Sequence, residues 1–177
     1  DFRGYAGKLY GNSIKVGDAV TVLPSLTESK VKNIHFFDKQ YDEAIAGSSI
    51  TIELENDINV TRGDMIVKST ELPKIEKDIT TTVCWMDSKK LVPGTKYIVQ
   101  HNTNRVLAKV ESIKNTIATD YSGTTPATQL AINEIGEVTI KLSKPLYFDA
   151  YNDNKSNGAF ILIDTATNTT AGVGFIT

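Results

Sequence analysis

Cysteine, long apolar runs and surplus basic charge are all scarce in this sequence of 177 residues. The single cysteine, Cys84, excludes an internal disulfide. No apolar run approaches the roughly 18 residues that a membrane-spanning helix needs, and no signal peptide is recognisable. Together with the lone thiol, these absences predict a cytoplasmic protein that does not enter a membrane.

The charge balance argues against a nucleic-acid partner. The chain has 19 Lys and Arg residues against 21 Asp and Glu residues, which gives a formal net charge of −2. A protein that binds nucleic acid neutralises phosphates with basic residues, so it normally shows a basic surplus or stripe. The sequence therefore predicts no nucleic-acid partner.

Motifs that carry chemistry are scarce as well. His35 and His101 are the only histidines, and neither has a cysteine or carboxylate at metal-ligand spacing. No nucleophile elbow is present. The segment Gly4–Lys8 lacks the spacing of a phosphate-binding loop, and no predicted helix follows it. The sequence thus predicts no catalytic residue, no metal site and no cofactor within this chain.

The sequence does contain many short segments with the periodicity of β-strands. Apolar and polar residues alternate in Ala19–Leu23, Ser49–Leu54 and Gly136–Leu142, so one face of each strand can be buried. Turn residues separate such segments at short intervals. One short turn of helix is expected at most, within Asp38–Ala46. This pattern predicts an all-β fold, either a sandwich or a barrel.

The chain divides best near Pro73, because proline lacks the donor that a central strand needs. We predict a first domain over residues 1–70, a linker over 71–78 and a second domain over 79–177. The chain begins at Asp1 rather than methionine, and Phe2 already lies in a predicted strand. We therefore expect a fragment of a longer protein.

The first half resembles the second domain of translation-factor GTPases, a β-barrel. In that barrel, glycines serve tight turns and close passages of the backbone. The matching residues are Arg3-Gly4, Gly7, Ile14–Asp18, Val20–Ser25, Ala46-Gly47 and Arg62-Gly63-Asp64.

Narrower motifs resemble the large, GTP-binding subunit of bacterial sulfate adenylyltransferase, and this resemblance covers essentially the whole chain. The matching segments are Asp1–Gly7, Phe37-Asp38, Asp42–Ala44, Leu54–Ile58, Asn133–Gly136, Lys144–Leu146, Phe148–Tyr151, Gly158–Asp164, Thr167-Asn168 and Gly172–Gly174. Residues 115–128 match poorly, and within them residues 118–128, rich in Thr, Ser and Gly, are predicted to form a loop. Nothing in the chain matches the nucleotide-binding domain.

The resemblance implies two tandem antiparallel β-barrels like domains II and III of elongation factor Tu-like GTPases. It also implies a parent protein that is a nucleotidyltransferase subunit with GTPase activity, acting in sulfate assimilation. GTP and Mg²⁺ would bind a GTPase domain that precedes this chain. The barrels would couple GTP hydrolysis to synthesis of adenosine 5′-phosphosulfate by a small catalytic subunit. The expected partners are that subunit and the GTPase domain.

Four residues at barrel turns are candidates for an interface with a neighbouring domain or partner. They are Arg3, Tyr5, Arg62 and Asp64. Local stabilisation of the turns explains the same residues at least as well.

Two other functions stay open on the sequence. The same barrels could contact tRNA in a translation elongation factor, although the acidic balance and Gly158–Asp164 argue against this. The chain could also be an independent module that binds a small ligand, because barrels can hold pockets.

Overall fold

A computed structural model of the chain describes residues 2–177, which leaves Asp1 of the predicted entry motif outside the description. Those residues form fifteen β-strands and no helix, which confirms the all-β prediction. The chain divides into two compact units, Asp1–Pro73 and Lys74–Thr177.

The first unit is a sheet that surrounds one apolar core. The sheet has the order β1-β7-β4-β3-β8, with β5 also paired to β4, while β2 pairs with β6. All of these pairs are antiparallel. The strands are β1 (Tyr5–Lys8), β2 (Ile14–Lys15), β3 (Ala19–Leu23), β4 (Thr27–Phe36), β5 (Lys39–Tyr41), β6 (Glu43–Ala44), β7 (Ser49–Leu54) and β8 (Met65–Lys68).

Strand β4 bends the sheet of the first unit around its core. Its first half pairs with β3 and its second half with β7, and the register shifts between Val31 and Asn33. Such an irregularity kinks a strand and increases its twist. Val31 and Ile34 consequently both point into the core, where they are fully buried.

The second unit is a closed antiparallel barrel. Strands β10-β14-β15-β9-β13-β11 pair in that order, β11 pairs back with β10, and β12 extends the sheet beyond β11. A closed ring of strands leaves no unpaired edge among its members. The strands are β9 (Lys74–Trp85), β10 (Lys96–His101), β11 (Asn104–Ile117), β12 (Thr124–Pro126), β13 (Ile135–Phe148), β14 (Ala159–Asp164) and β15 (Thr170–Ile176).

The core of the barrel packs around Trp85, the only tryptophan of the chain. Its ring is fully buried and meets the ring of Tyr97 edge-on, with centroids 5.3 Å apart. The indole N–H donates to the carbonyl oxygen of Lys89 at 2.7 Å. The polar atom of this large side chain is thereby satisfied, as burial requires.

Three local predictions need correction. Residues 38–46 hold β5 and β6 rather than a turn of helix, because Phe37 adopts a left-handed conformation (φ 50°) that starts a hairpin after β4. The predicted linker 71–78 is strand from Lys74 onward, since residues 74–76 pair with 146–148. The predicted loop 118–128 contains β12, which pairs with the end of β11.

Candidate interaction sites

Arg3 is held within the first unit by three neighbours. Its guanidinium forms an ion pair with Asp57 and donates a 2.9 Å hydrogen bond to the Asn59 side-chain oxygen. The same group lies 6.0 Å from the centre of the Tyr5 ring, which is a cation–π distance. Arg3 and Asp57 are both well exposed, so each contact contributes little to stability.

Tyr5 fastens β1 to the segment that follows β7. Its hydroxyl donates to the carbonyl oxygen of Ile58 at 2.6 Å and accepts from the Ile58 N–H at 3.3 Å. One side chain therefore satisfies both backbone groups of a residue in an irregular segment. Ile58 can then bury its side chain in the core.

Arg62 and Asp64 lie in a separate turn that enters β8. The Asp64 carboxylate accepts from the backbone N–H of Thr61 at 2.7 Å and from its hydroxyl at 3.0 Å. Gly63 has a φ of 105°, which L side chains rarely adopt. Arg62 is exposed on this turn. The structure thus brings Arg3 and Tyr5 together, and Arg62 and Asp64 form their own local group.

Their role at an interface stays a prediction. Arg3, Tyr5 and Asp64 have partners within their own unit, so the local explanation accounts for those three. The contacts with Asp57 and Asn59 could not be read from the sequence, because more than fifty residues separate the two segments.

A polar cluster on β4 and β7 was not predicted as a unit. His35 Nε2 lies 2.6 Å from the Glu53 carboxylate, and the Asn33 amide donates to the same oxygen at 3.2 Å. Lys32 adds a longer ion pair at 3.9 Å. The bond with His35 is the main cause that holds the pKa of Glu53 below its usual value, although burial opposes the shift. Register pairs His35 with Thr51, beside Glu53.

Phe2 packs against one member of this polar cluster. Its ring meets the ring of His35 edge-on, with centroids 5.5 Å apart. Gly4 makes the close approach possible, since a Cβ there would lie 2.5 Å from the Thr51 methyl group and 2.8 Å from the Phe2 ring. Two contacts therefore anchor the segment before β1. Phe2 packs against His35, and Arg3 binds Asp57 and Asn59.

An aromatic group marks the hairpin between β4 and β5. Phe36 and Tyr41 pack edge-on with centroids 5.1 Å apart. They line an open depression together with Phe37, Asp38 and Lys39. Phe37 itself is fully exposed at the tip. In the sequence, only the two adjacent phenylalanines indicated this aromatic group.

Within residues 2–177, no three His, Cys, Asp or Glu side chains come close enough together to hold a metal ion. No helix in that range is long and apolar enough to cross a membrane.

A comparison with known protein families finds a match for the second unit. A family model described as GTP-eEF1A C-terminal domain-like matches residues 78–177. The match therefore covers more than half of the chain and nearly all of the closed barrel.

Curated relatives match the whole chain. The "Bifunctional enzyme CysN/CysC" of Rhodopirellula baltica is 41% identical over 99% of the chain, which corresponds to 27% of that protein. The "Sulfate adenylyltransferase subunit 1" of Colwellia psychrerythraea is 39% identical over 99% of the chain, or 38% of its own length. The chain thus spans less than two fifths of either relative. These matches confirm the predicted resemblance of the chain to the large subunit.

Solved structures share the fold. The crystal structure of Sup35 complexed with GDP superposes with a TM-score of 0.85, covering 98% of the chain and 43% of the Sup35 chain. Sequence identity is only 17%, so this likeness concerns the fold. It confirms the predicted resemblance to the barrels of translation-factor GTPases.

Proposed function

The chain belongs to the GTP-eEF1A C-terminal domain-like family, and from that premise we propose that it forms the non-catalytic barrels of a sulfate adenylyltransferase large subunit. In this role the barrels transmit the nucleotide state of a GTPase domain to a small catalytic subunit. The small subunit then forms adenosine 5′-phosphosulfate in sulfate assimilation.

The similarity over the full chain carries this proposal. Relatives named sulfate adenylyltransferase subunit 1 align over 99% of the chain at 38–39% identity, whereas Sup35 shares the fold at 17%. Many GTPases use the same barrels, so the fold alone does not select a function. Higher identity along both units favours the sulfate role over a tRNA-contacting role.

The contacts of the first unit suit a module that transmits a domain movement rather than one that catalyses a reaction. Phe2 and Arg3 fasten the entry segment to two residue groups, and Tyr5 fixes the strand that follows. A movement of a domain attached before this segment would be passed to the sheet instead of being absorbed by a loose linker. GTP and Mg²⁺ would bind in that preceding domain, and the assembly would work in the cytoplasm.

The first test compares the full-length large subunit with a version that lacks this 177-residue segment. Each is combined with the small subunit, and the adenosine 5′-phosphosulfate formed per GTP hydrolysed is measured. We expect deletion to leave GTP hydrolysis measurable but to abolish its coupling to product formation. Undiminished coupling after deletion would rule the proposal out.

A second test uses the exposed turn of the first unit. Arg62→Ala should lower coupling in the full-length subunit, because a charged side chain at an interface contributes more than one in solvent. Lys30→Ala is the matched control, since Lys30 is also exposed and lies in the same unit. Equal coupling in both variants would remove Arg62 from the interface.

Strong, salt-sensitive tRNA binding by the subunit would instead favour the translation-factor role.

A further inference from the structure

The outer face of the barrel at β10, β11 and β13 combines basic and apolar side chains in a regular order. Residues alternate inward and outward along each strand, and the buried ones point into the core. The strands pair directly, so the outward residues of neighbouring strands stand side by side. Register therefore determines which side chains meet on this face.

Three lysines form one row across the face, called here the lysine row. Lys109 on β11 is the direct partner of Lys96 on β10 and of Lys141 on β13. All three are exposed. Like charges directly opposite each other on a sheet are destabilising, typically by some tenths of a kcal/mol.

Few carboxylates compensate the lysine row. Lys109 forms a 3.2 Å ion pair with Glu111 on its own strand, and Asp78 on β9 is the register partner of Lys141. Lys96 and Lys141 form no salt bridge in the described part of the chain. The row thus keeps a net positive charge although the whole chain is slightly acidic.

An apolar pair lies next to the lysine row. Ile98 and Leu107 are direct partners, two residues along from Lys96 and Lys109. Leu107 remains 47% exposed. Beyond this pair, Arg105 donates to the Gln100 side-chain oxygen at 2.9 Å and places a fourth cation on the far side. The apolar pair is therefore flanked by cations on both sides.

We propose that this face, formed by the lysine row, the apolar pair and Arg105, binds an acidic, partly apolar segment of a partner protein. Carboxylates of the segment would meet the four cations, and an aliphatic or aromatic side chain would cover Ile98 and Leu107. The charge pattern selects an acidic occupant, and the exposed Leu107 favours a protein segment over a bare polyanion. This inference rests on the second unit alone and does not depend on the sulfate role.

A short capped peptide that alternates glutamate and leucine supplies both features and serves as the probe. It is titrated into the 177-residue chain while amide NMR spectra are recorded. We expect saturable shifts concentrated in β10, β11 and β13, with a dissociation constant in the micromolar range. Peptides with lysine in place of glutamate, or serine in place of leucine, should bind much more weakly.

Charge reversal tests the lysine row. The double variant Lys96→Glu, Lys141→Glu should bind the probe roughly tenfold more weakly. Its matched control is Lys90→Glu, Lys155→Glu, which makes the same change in net charge at exposed residues outside the strands. Dispersed spectra confirm folding, and the milder Lys→Gln pair at positions 96 and 141 replaces the first variant if it does not fold.

Leu107→Ser separates a protein partner from a nucleic acid. It should weaken the peptide about fivefold, because apolar burial is lost. Absent or unsaturable shifts, shifts centred elsewhere, or equal weakening in the control pair would each overturn the proposal. So would a single-stranded oligonucleotide that binds this face more tightly than the peptide and is unaffected by Leu107→Ser.

Discussion

The side chain of Phe37 is poorly suited to the backbone conformation at its position. It is fully exposed, so its ring gains nothing from burial, and its φ of 50° is unfavourable for a bulky L residue. The left-handed conformation is nevertheless needed for the hairpin between β4 and β5. The tip therefore carries strain that a smaller polar residue would not have.

We predict that Phe37→Asn stabilises the chain by about 0.5–1 kcal/mol, because asparagine tolerates the left-handed region. Urea unfolding followed by far-UV circular dichroism measures the change. Phe36→Asn is the contrasting variant. Because Phe36 packs against Tyr41, the same substitution there should destabilise the folded chain. A Phe37→Asn variant less stable than the parent would contradict the assigned strain.

His101 is a buried base with one unused nitrogen. Its Nε2 donates to the Asn157 carbonyl oxygen at 2.8 Å, whereas Nδ1 has no hydrogen-bond partner in the described structure. Burial is the main cause that lowers the pKa of His101, although the bond to Asn157 and the charge of Asp149 oppose it. The folded chain thus holds this imidazole neutral.

Stability should therefore fall as the pH drops below about 6.5, the ordinary histidine value, because the unfolded chain then binds a proton that the folded chain resists. In His101→Gln this part of the pH dependence should disappear. Urea unfolding of both proteins between neutral and mildly acidic pH gives the comparison. The lowered pKa of Glu53 acts in a separate window, below the ordinary glutamate value of 4.5. Identical slopes for parent and variant would refute the assignment to His101.

At the scale of elements, close packing between β14 and β15 depends on a glycine. Gly174 is the register partner of Phe160, and a Cβ there would lie 2.1 Å from the Phe160 ring. That ring is buried in the barrel core, so it has little room to move. The two strands can pair in this register only while position 174 has no side chain.

Gly174→Ala should accordingly destabilise the barrel by roughly 1–3 kcal/mol through overpacking. Trp85 fluorescence follows the unfolding, because this only tryptophan is buried in the same unit. Gly123→Ala is the matched control, since nothing lies within 4 Å of a Cβ at that position. A loss in the control as large as in Gly174→Ala would show that the replacement of glycine itself, rather than packing against Phe160, determines the effect.

At the scale of the whole molecule, the chain consists of two units that each have their own core. The second unit closes its ring of strands and buries twenty apolar residues in one cluster. A closed barrel with its own core has what a domain needs to fold alone.

We predict that residues 74–177 fold when expressed without the first unit. The isolated barrel should show a cooperative unfolding transition, with the Trp85 emission shifted to short wavelength in the folded state. Fluorescence during urea unfolding tests this directly. A solvent-exposed tryptophan without a transition would mean that the barrel needs more of the chain. The 177-residue chain under the same conditions provides the reference signal.

Local pattern by itself determined the fold class and several strands. Alternation predicted Ser49–Leu54 with the bounds that the structure shows, because a strand with one buried face must alternate. Ala19–Leu23 also has its predicted bounds, although four of its five residues are buried and its burial does not alternate. The motifs of both halves likewise predicted the family resemblance. The tertiary structure decided how strands pair: the ring closure of the barrel, the contact of Arg3 with Asp57, and the row of Lys96, Lys109 and Lys141. These features join residues distant along the chain, and no local pattern specifies the register that brings them together.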